Sequence, residues 1–316
     1  MLGPQGICCA RSRVGEPGWG AHLDCAALAE HRSPMTTDAA AWANYRTITI
    51  DPLSPTVGAE IGGVRMSGDV SSEQIGEIRR ALLEWKVIFF RDQDVSIEEH
   101  IAFGRLFGEL EIHPFATNLE GYPEVVVIHH DEKSRFGQND WHSDVTWRLE
   151  PSLGSILRAT IVPPVGGDTL FCDMNAAYDG LADDIKEKID GMTAVHSYTR
   201  LFGGRLPEKE RAEMREKYPD ARHPVVRTHP ETGAKSLYVN SSFVSHLDGV
   251  DEVEGCRLLR LLYRQSAIPE FQCRFRWRKN SVSFWDNRAV QHYAAFDYKP
   301  NVRHVERVTI VGDKPV

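Results

Sequence analysis

Residues 138–147, QNDWHSDVTW, place an imidazole and a carboxylate two positions apart, at His142 and Asp144. In an extended strand, residues i and i+2 face the same side. The pair can therefore converge on one cation, or simply decorate the polar face of an exposed strand. A third donor would decide between these readings. Two histidines and one carboxylate on one side of an ion leave its other positions open. That arrangement suits ferrous iron, which must also take up a cosubstrate and oxygen. The candidate third donor is His292 in SFWDNRAVQHYAAFDY. There a turn-like Asp-Asn precedes a run whose alternation puts Val290, His292 and Ala294 on one face.

Beyond His292 the run RHVERVTIV carries Arg303 and Arg307, which share a face with Val305 and Thr309. Two guanidinium groups on an inward face are costly unless they meet anions. At about 3.3 Å per residue they stand about 13 Å apart, room for two different anions. The planar fork of arginine matches carboxylate and sulfonate oxygens. If this face points outward, both arginines are merely solvated.

These side chains need a scaffold. The chain has 316 residues, of which 41% are hydrophobic and 26% charged, with 37 basic and 45 acidic residues and a net charge of −8. This is the balance of a globular protein, and its sign argues against a nucleic-acid binder. No apolar run of membrane-spanning length occurs. YRTITIDPL and GAEIGGV read as short strands, and VIFFRDQ as a buried one. SSEQIGEIRRALLEWK reads as a helix capped by Ser71 or Ser72, with a stripe of Ile75, Ile78, Leu82 and Leu83. SIEEHIAFGRLFG reads as a helix opened by a Ser96/Glu99 capping box. The rest is mostly strands: EVVVIHH, DVTWRL, GSILRAT, DTLFCDM, SLYVN, CRFRWR, SVSFWD, AVQHYAAF and RHVERVTIV. Helices are expected near 175–190, 207–217 and 251–266. Many short strands with few helices predict a mostly β sandwich or jelly roll with flanking helices. Dinucleotide and P-loop fingerprints are absent.

The motifs WHSDVTW, GGDTLF, HPVVRTHPETG, LYVN, FWDNRAVQHYA and RHVERVTIVGDKP, in this order, resemble the taurine dioxygenase (TauD/TfdA-like) family of Fe(II)/2-oxoglutarate oxygenases over roughly residues 45–316. The resemblance implies a double-stranded β-helix, with His142, Asp144 and His292 as iron ligands. It implies Thr169 and Arg303 on 2-oxoglutarate, and Arg307 on the anionic group of a small organic substrate. It implies His113 and Gln138 beside that substrate, and Phe202 and Phe243 as aromatic walls. Fe(II), 2-oxoglutarate as cosubstrate and O2 are then required, with succinate and CO2 released. A taurine- or alkanesulfonate-like substrate is the first expectation, with an alkyl sulfate ester or aryloxyalkanoate as the alternative. EGYPEV and VHSYTRLFG resemble the aryloxyalkanoate-using branch. Two positions depart from taurine dioxygenase: Ala116 stands where it has tyrosine, and Gln138 where it has asparagine. The pocket should therefore admit a bulkier molecule than taurine. A homodimer or homotetramer is also implied.

Two other classes compete. A zinc hydrolase would use the same three ligands, but leaves Arg303 and Thr169 without a role. A non-catalytic binding barrel would have no need of an intact triad. His129, His130, His223 and His229 read as surface or satisfied structural residues, and Trp141 and Trp285 as packing beside the ligands. Cys8, Cys9, Cys25, Cys172, Cys256 and Cys273 lack zinc-site spacing and read as free thiols in a reducing, cytoplasmic compartment. Residues 1–44 have no periodicity and read as a disordered extension. Residues 1–34 precede an internal methionine, Met35, and read as that extension or as an upstream start-site artefact. Residues 45–316 form the single catalytic domain.

Overall fold

The computed structural model describes residues 44–66, 69–134 and 139–316. Residues 1–43, nearly all of the expected extension with three of its cysteines, lie outside the described residues. In chain order the strands are β1 (Thr49–Pro52), β2 (Ala59–Gly62), β3 (Val87–Phe90), β4 (Asn118–Leu119), β5 (Tyr122–His130), β6 (Gly154–Ile161), β7 (Thr169–Asp173), β8 (Thr193–His196), β9 (Ala221–Pro224), β10 (Val226–Thr228), β11 (Lys235–Leu237), β12 (Val244–Leu247), β13 (Gln272–Phe275), β14 (Val282–Asp286), β15 (Val290–Ala294) and β16 (Arg303–Ile310). Eight of them form one sheet in the order β1-β2-β3-β14-β6-β16-β5-β4. A three-stranded sheet, β13-β7-β15, contributes to the same inner core, and β12-β8-β9 and β10-β11 form smaller sheets. The expected jelly roll is present.

The two-residue period of the strands sorts their side chains into two cores. Val87 and Phe89 of β3, Leu157 of β6, Trp285 of β14 and Val305 of β16 face inward, where they meet Phe171 of β7, Phe275 of β13 and Val290 of β15. The alternate residues Ile88, Phe90, Ile156, Phe284 and Val308 face outward and are covered by Ile78, Leu82 and Trp85 of the helix Ser72–Trp85 and by Ile101 and Phe103 of the helix Ile97–Arg105. Both helices start as their sequences predict. Ser71 Oγ accepts from the Gln74 N–H, and the Ser96/Glu99 capping box is closed. Because Val305 faces the inner core, Arg303 and Arg307 on the same face of β16 are directed between the sheets, and both are buried. The solvated-arginine reading of this strand is excluded.

Two expectations fail, and three strands were not foreseen. DVTWRL is not a strand: His142 makes an isolated bridge, and the chain then turns, with Val145 at φ 47°. Every side chain from His142 to Trp147 is buried, which a strand with one wet face does not allow. The helix expected over 175–190 is two, Met174–Asp179 and Asp183–Ile189. They part at Gly180, where a Cβ would lie 2.7 Å from the Phe271 ring. Strands β8 and β9 carry the buried His196 and His223, and β12 the exposed His246, in four-residue runs too short to register as alternation.

Candidate metal centre and substrate cavity

The isolated bridge brings the histidines together. The His142 N–H donates to the His292 carbonyl at 3.1 Å and the His292 N–H to the His142 carbonyl at 2.8 Å. Their ring centroids stand 4.2 Å apart. Asp144 follows on the same segment, and one donor atom from each of His142, Asp144 and His292 lies within 4.8 Å of the others. His142 Nδ1 faces the Asp140 carbonyl at 2.7 Å. A carbonyl only accepts, so Nδ1 carries the hydrogen and Nε2 keeps its lone pair. His292 packs between Phe171 and Trp285, at 6.1 and 4.9 Å, and Trp141 lies tilted against Tyr293 at 5.6 Å. Both tryptophans thus have the packing role expected of them.

Burial sets the charge of this cluster. It pushes His292 down to about 3, helped by His142 and Arg307, and lowers His142 as well. Burial also disfavours the Asp144 anion, but Arg307, His292 and His142 outweigh it and hold the carboxyl well below the usual carboxylate range. Two neutral imidazoles and a carboxylate are the protonation states that a divalent cation requires of its ligands.

Arg307 is engaged with this cluster. Its Nη1 donates to Asp144 Oδ2 at 2.7 Å, while its buried Nε finds no hydrogen-bond partner among the described residues. Arg303 is different: it is 4% exposed and has no carboxylate partner among the described residues. Its guanidinium carbon lies 5.8 Å from the centre of the Trp277 ring. The same Trp277 donates from Nε1 to Thr169 Oγ1 at 2.9 Å, which leaves the threonine O–H free to donate elsewhere. Gly167 adopts φ +73°, and a Cβ there would press within 3.3 Å of Arg303 Cδ. The double glycine of GGDTLF lets the loop lie against the arginine stem.

One cavity of about 350 Å³ joins these groups. The triad, Arg303 and Thr169 line one part of it, and His113, Ala116, Phe202 and Phe243 another. His113 Nδ1 accepts from the N–H groups of Phe115 and Ala116 at 3.1 and 3.0 Å, so its Nε2 is the protonated nitrogen. Burial and then Arg307 push its pKa down to about 3, so it is a neutral donor. Phe202 lies 5.8 Å from His113 and 6.4 Å from Phe243. Gln138 lies outside the described residues.

His223 and His229 are held by hydrogen bonds away from the triad. His223 Nε2 meets the Thr146 and Arg148 carbonyls, and His229 Nε2 meets Asp286 Oδ2 at 3.0 Å. His129 pairs with His304 and also borders the cavity. His130 reaches further than expected: it bonds the Tyr298 hydroxyl at 2.9 Å and both line the cavity near Arg303.

A family model described as "Taurine catabolism dioxygenase TauD, TfdA family" matches residues 49–309. The chain belongs to the TauD/TfdA family. Within that family it is 34% identical over 277 residues to an alpha-ketoglutarate-dependent sulfate ester dioxygenase of Pseudomonas putida, covering 85% of this chain and 91% of the relative. A solved taurine dioxygenase from Burkholderia xenovorans superposes with a TM-score of 0.74 at 38% identity, over 86% of this chain and 91% of that one. AAD-2, solved with Mn(II) and N-oxalylglycine, superposes with a TM-score of 0.72 at 29% identity, over 85% and 99%. The donor set of this TauD/TfdA member fits a divalent metal: three convergent, buried, deprotonated donors stand beside a cavity, and His292 Nδ1 is orphaned.

Reading the sequence missed Phe115 and Tyr298 in the cavity wall of this family member, and Trp277 behind it. Trp277 and Tyr298 bear on Arg303, and Phe115 stacks with Phe202 at 5.1 Å. Trp277 and Tyr298 carried no motif of their own. Phe115 stood beside His113, but its role depends on rings from distant segments.

Burial of neutral histidines has a measurable consequence. His292 and His113 titrate near 3, and His100 and His223 near 4, against 6.5 in an unfolded chain. Between these values the unfolded chain binds more protons than the folded one, so stability falls as pH falls. The metal-free protein is expected to show a clearly lower urea midpoint at pH 5 than at pH 7.5. An equal midpoint at both would contradict the buried, neutral placement.

Proposed function

We propose that this chain is an Fe(II)- and 2-oxoglutarate-dependent dioxygenase that hydroxylates a small organic monoanion with an apolar body. The reading rests on one juxtaposition: a buried His-Asp-His triad shares its cavity with Arg303, a buried cation without a carboxylate partner among the described residues. Fe(II) held by His142, Asp144 and His292 supplies the activation of O2 that converts a substrate C–H to C–OH while 2-oxoglutarate becomes succinate and CO2. Arg303 and the Thr169 hydroxyl receive the distal carboxylate of 2-oxoglutarate, and the charge pair replaces the water Arg303 lost on burial. The neutral Nε2–H of His113 and the unpaired edge of Arg307 donate to the substrate's anionic group. Phe202 and Phe243 exclude water from the reacting carbon. A zinc hydrolase has no use for a second buried guanidinium and its threonine.

Charge favours the substrate class. Arg303 and Arg307 exceed Asp144 by one positive charge, and Fe(II) and 2-oxoglutarate cancel each other. One negative charge on the substrate brings the site to neutrality. Asp144 is the sole carboxylate among the described lining residues, and Arg307 already holds it. An ammonium group such as that of taurine finds no partner there, and a buried unpaired cation is costly. The wall also has Ala116 in place of a phenol. A sulfate ester or aryloxyalkanoate therefore fits better than taurine.

Succinate release with taurine, linear alkyl sulfates and aryloxyacetates tests this. The specificity constant is expected to be higher for an alkyl sulfate or aryloxyacetate than for taurine. Ala116→Tyr is expected to move that ratio towards taurine by roughly tenfold or more, the scale of filling an apolar pocket. A wild-type preference for taurine would refute the apolar-body assignment and leave the dioxygenase reading intact.

A further inference from the structure

Asp144 lies outside any strand, so no ladder holds its backbone, yet its carboxylate must meet two imidazoles to within ångströms. The structure supplies a substitute. The Asp144 N–H donates to Asn287 Oδ1 at 2.7 Å, and Asn287 Nδ2 donates to the Asp144 carbonyl at 2.9 Å. One primary amide thus pairs both polar groups of the Asp144 residue, as a neighbouring strand would. Asn287 is fully buried. Its Nδ2 also meets Ser152 Oγ at 3.0 Å and the Ser152 carbonyl at 3.3 Å, and its own N–H donates to the Leu153 carbonyl at 2.8 Å. It occupies the turn that leads from β14 in the large sheet to β15 in the three-stranded sheet, and β15 carries His292. That turn is tied by Asp286, which takes three bonds from Arg288, one backbone and two side-chain, and one from His229. Ser143 Oγ adds a bond to the Val290 carbonyl at 2.8 Å.

We infer that Asn287 is a positioning residue of the metal centre: it locks the Asp144 backbone to the turn that leads into the His292 strand and so sets the carboxylate against both imidazoles. Arg307 restrains the head of the carboxylate, and Asn287 restrains its root. The inference rests on the metal-centre reading proposed above. A side chain that merely filled space would need neither both polar ends nor a fixed orientation.

The test uses the full metal-free chain and Co(II), whose visible absorption reports ligand number and geometry. Asn287→Ala is expected to weaken Co(II) binding by roughly 10- to 100-fold, as for lost supports of metal ligands, and to alter the shape of the visible band. Asn287→Asp keeps the acceptor for the Asp144 N–H and loses the donor. It is expected to fall between wild type and Asn287→Ala. Ser152→Ala leaves both Asp144 bonds in place and is expected to bind Co(II) as wild type does. Circular dichroism establishes which variants fold, and if Asn287→Ala does not, Asn287→Asp is read by the same criteria. A folded Asn287 variant with wild-type affinity and an unchanged band overturns the inference. So does Ser152→Ala weakening binding as much as Asn287→Ala, because general packing would then be responsible. Wild-type protein that takes up no Co(II) overturns the metal-centre reading itself, a result distinct from either.

Discussion

Arg303→Met is expected to weaken 2-oxoglutarate binding severely while leaving the ligand-free protein at least as stable as wild type. The two signs come from one fact. Arg303 is buried, and no carboxylate among the described residues pairs with it. Burial pulls its pKa below the ordinary arginine value, against the opposing influence of Tyr298. Such a group opposes folding until an anion arrives, and methionine fills much of the same volume without charge. The ligand's carboxylate would then be left without its cation, a loss on the scale of about 3–5 kcal/mol, or roughly a hundredfold or more in Kd. Calorimetric titration with 2-oxoglutarate and thermal melting with and without it give both readings. The wild type should melt higher in the presence of the cosubstrate, because a ligand that binds only the folded state stabilises it. The variant should not. Unchanged 2-oxoglutarate affinity in Arg303→Met would remove the cosubstrate assignment, and with it the main argument against a hydrolase.

His292→Ala is expected to lose Fe(II) affinity and with it all Fe(II)-dependent succinate release. The ring is one of three donors drawn together within 4.8 Å, and two donors do not hold an ion that three were arranged to hold. His292 is the cleaner ligand to remove. Asp144→Ala would also strip Arg307 of its partner at 2.7 Å and leave a buried charge alone, so lost stability and lost binding would be mixed. In His292→Ala the bridge to His142 uses backbone groups and persists, and the cost to the fold is a small cavity beside Trp285 and Phe171. Metal titration followed by turnover assays with and without Fe(II) checks the outcome. Wild-type Fe(II) dependence in folded His292→Ala would show that the ion lies elsewhere.

Much of this was legible from residue types and spacing. Alternation located the strands that build the inner core, because a strand between two apolar layers must sort its side chains by parity. RHVERVTIV carried its arginines on the parity that Val305 drew inward, and AVQHYAAF carried His292. Capping chemistry placed both outer helices, since Ser71, Ser96 and Glu99 act within one turn of their own positions. What distant segments impose was not legible. HSDVTW looked like a strand because two of its residues alternate, but it is a buried turn whose bonds come from Asn287, Val290 and His292. The fate of Arg307 was likewise undetermined, because spacing along β16 says nothing about Asp144, 163 positions away, taking one of its nitrogens. The sequence determined which donors and cations the protein owns and which strand faces carry them. Only the tertiary structure decided which of them are paired already and which, like Arg303, wait buried for a partner, because pairing depends on through-space distances that chain separation does not encode.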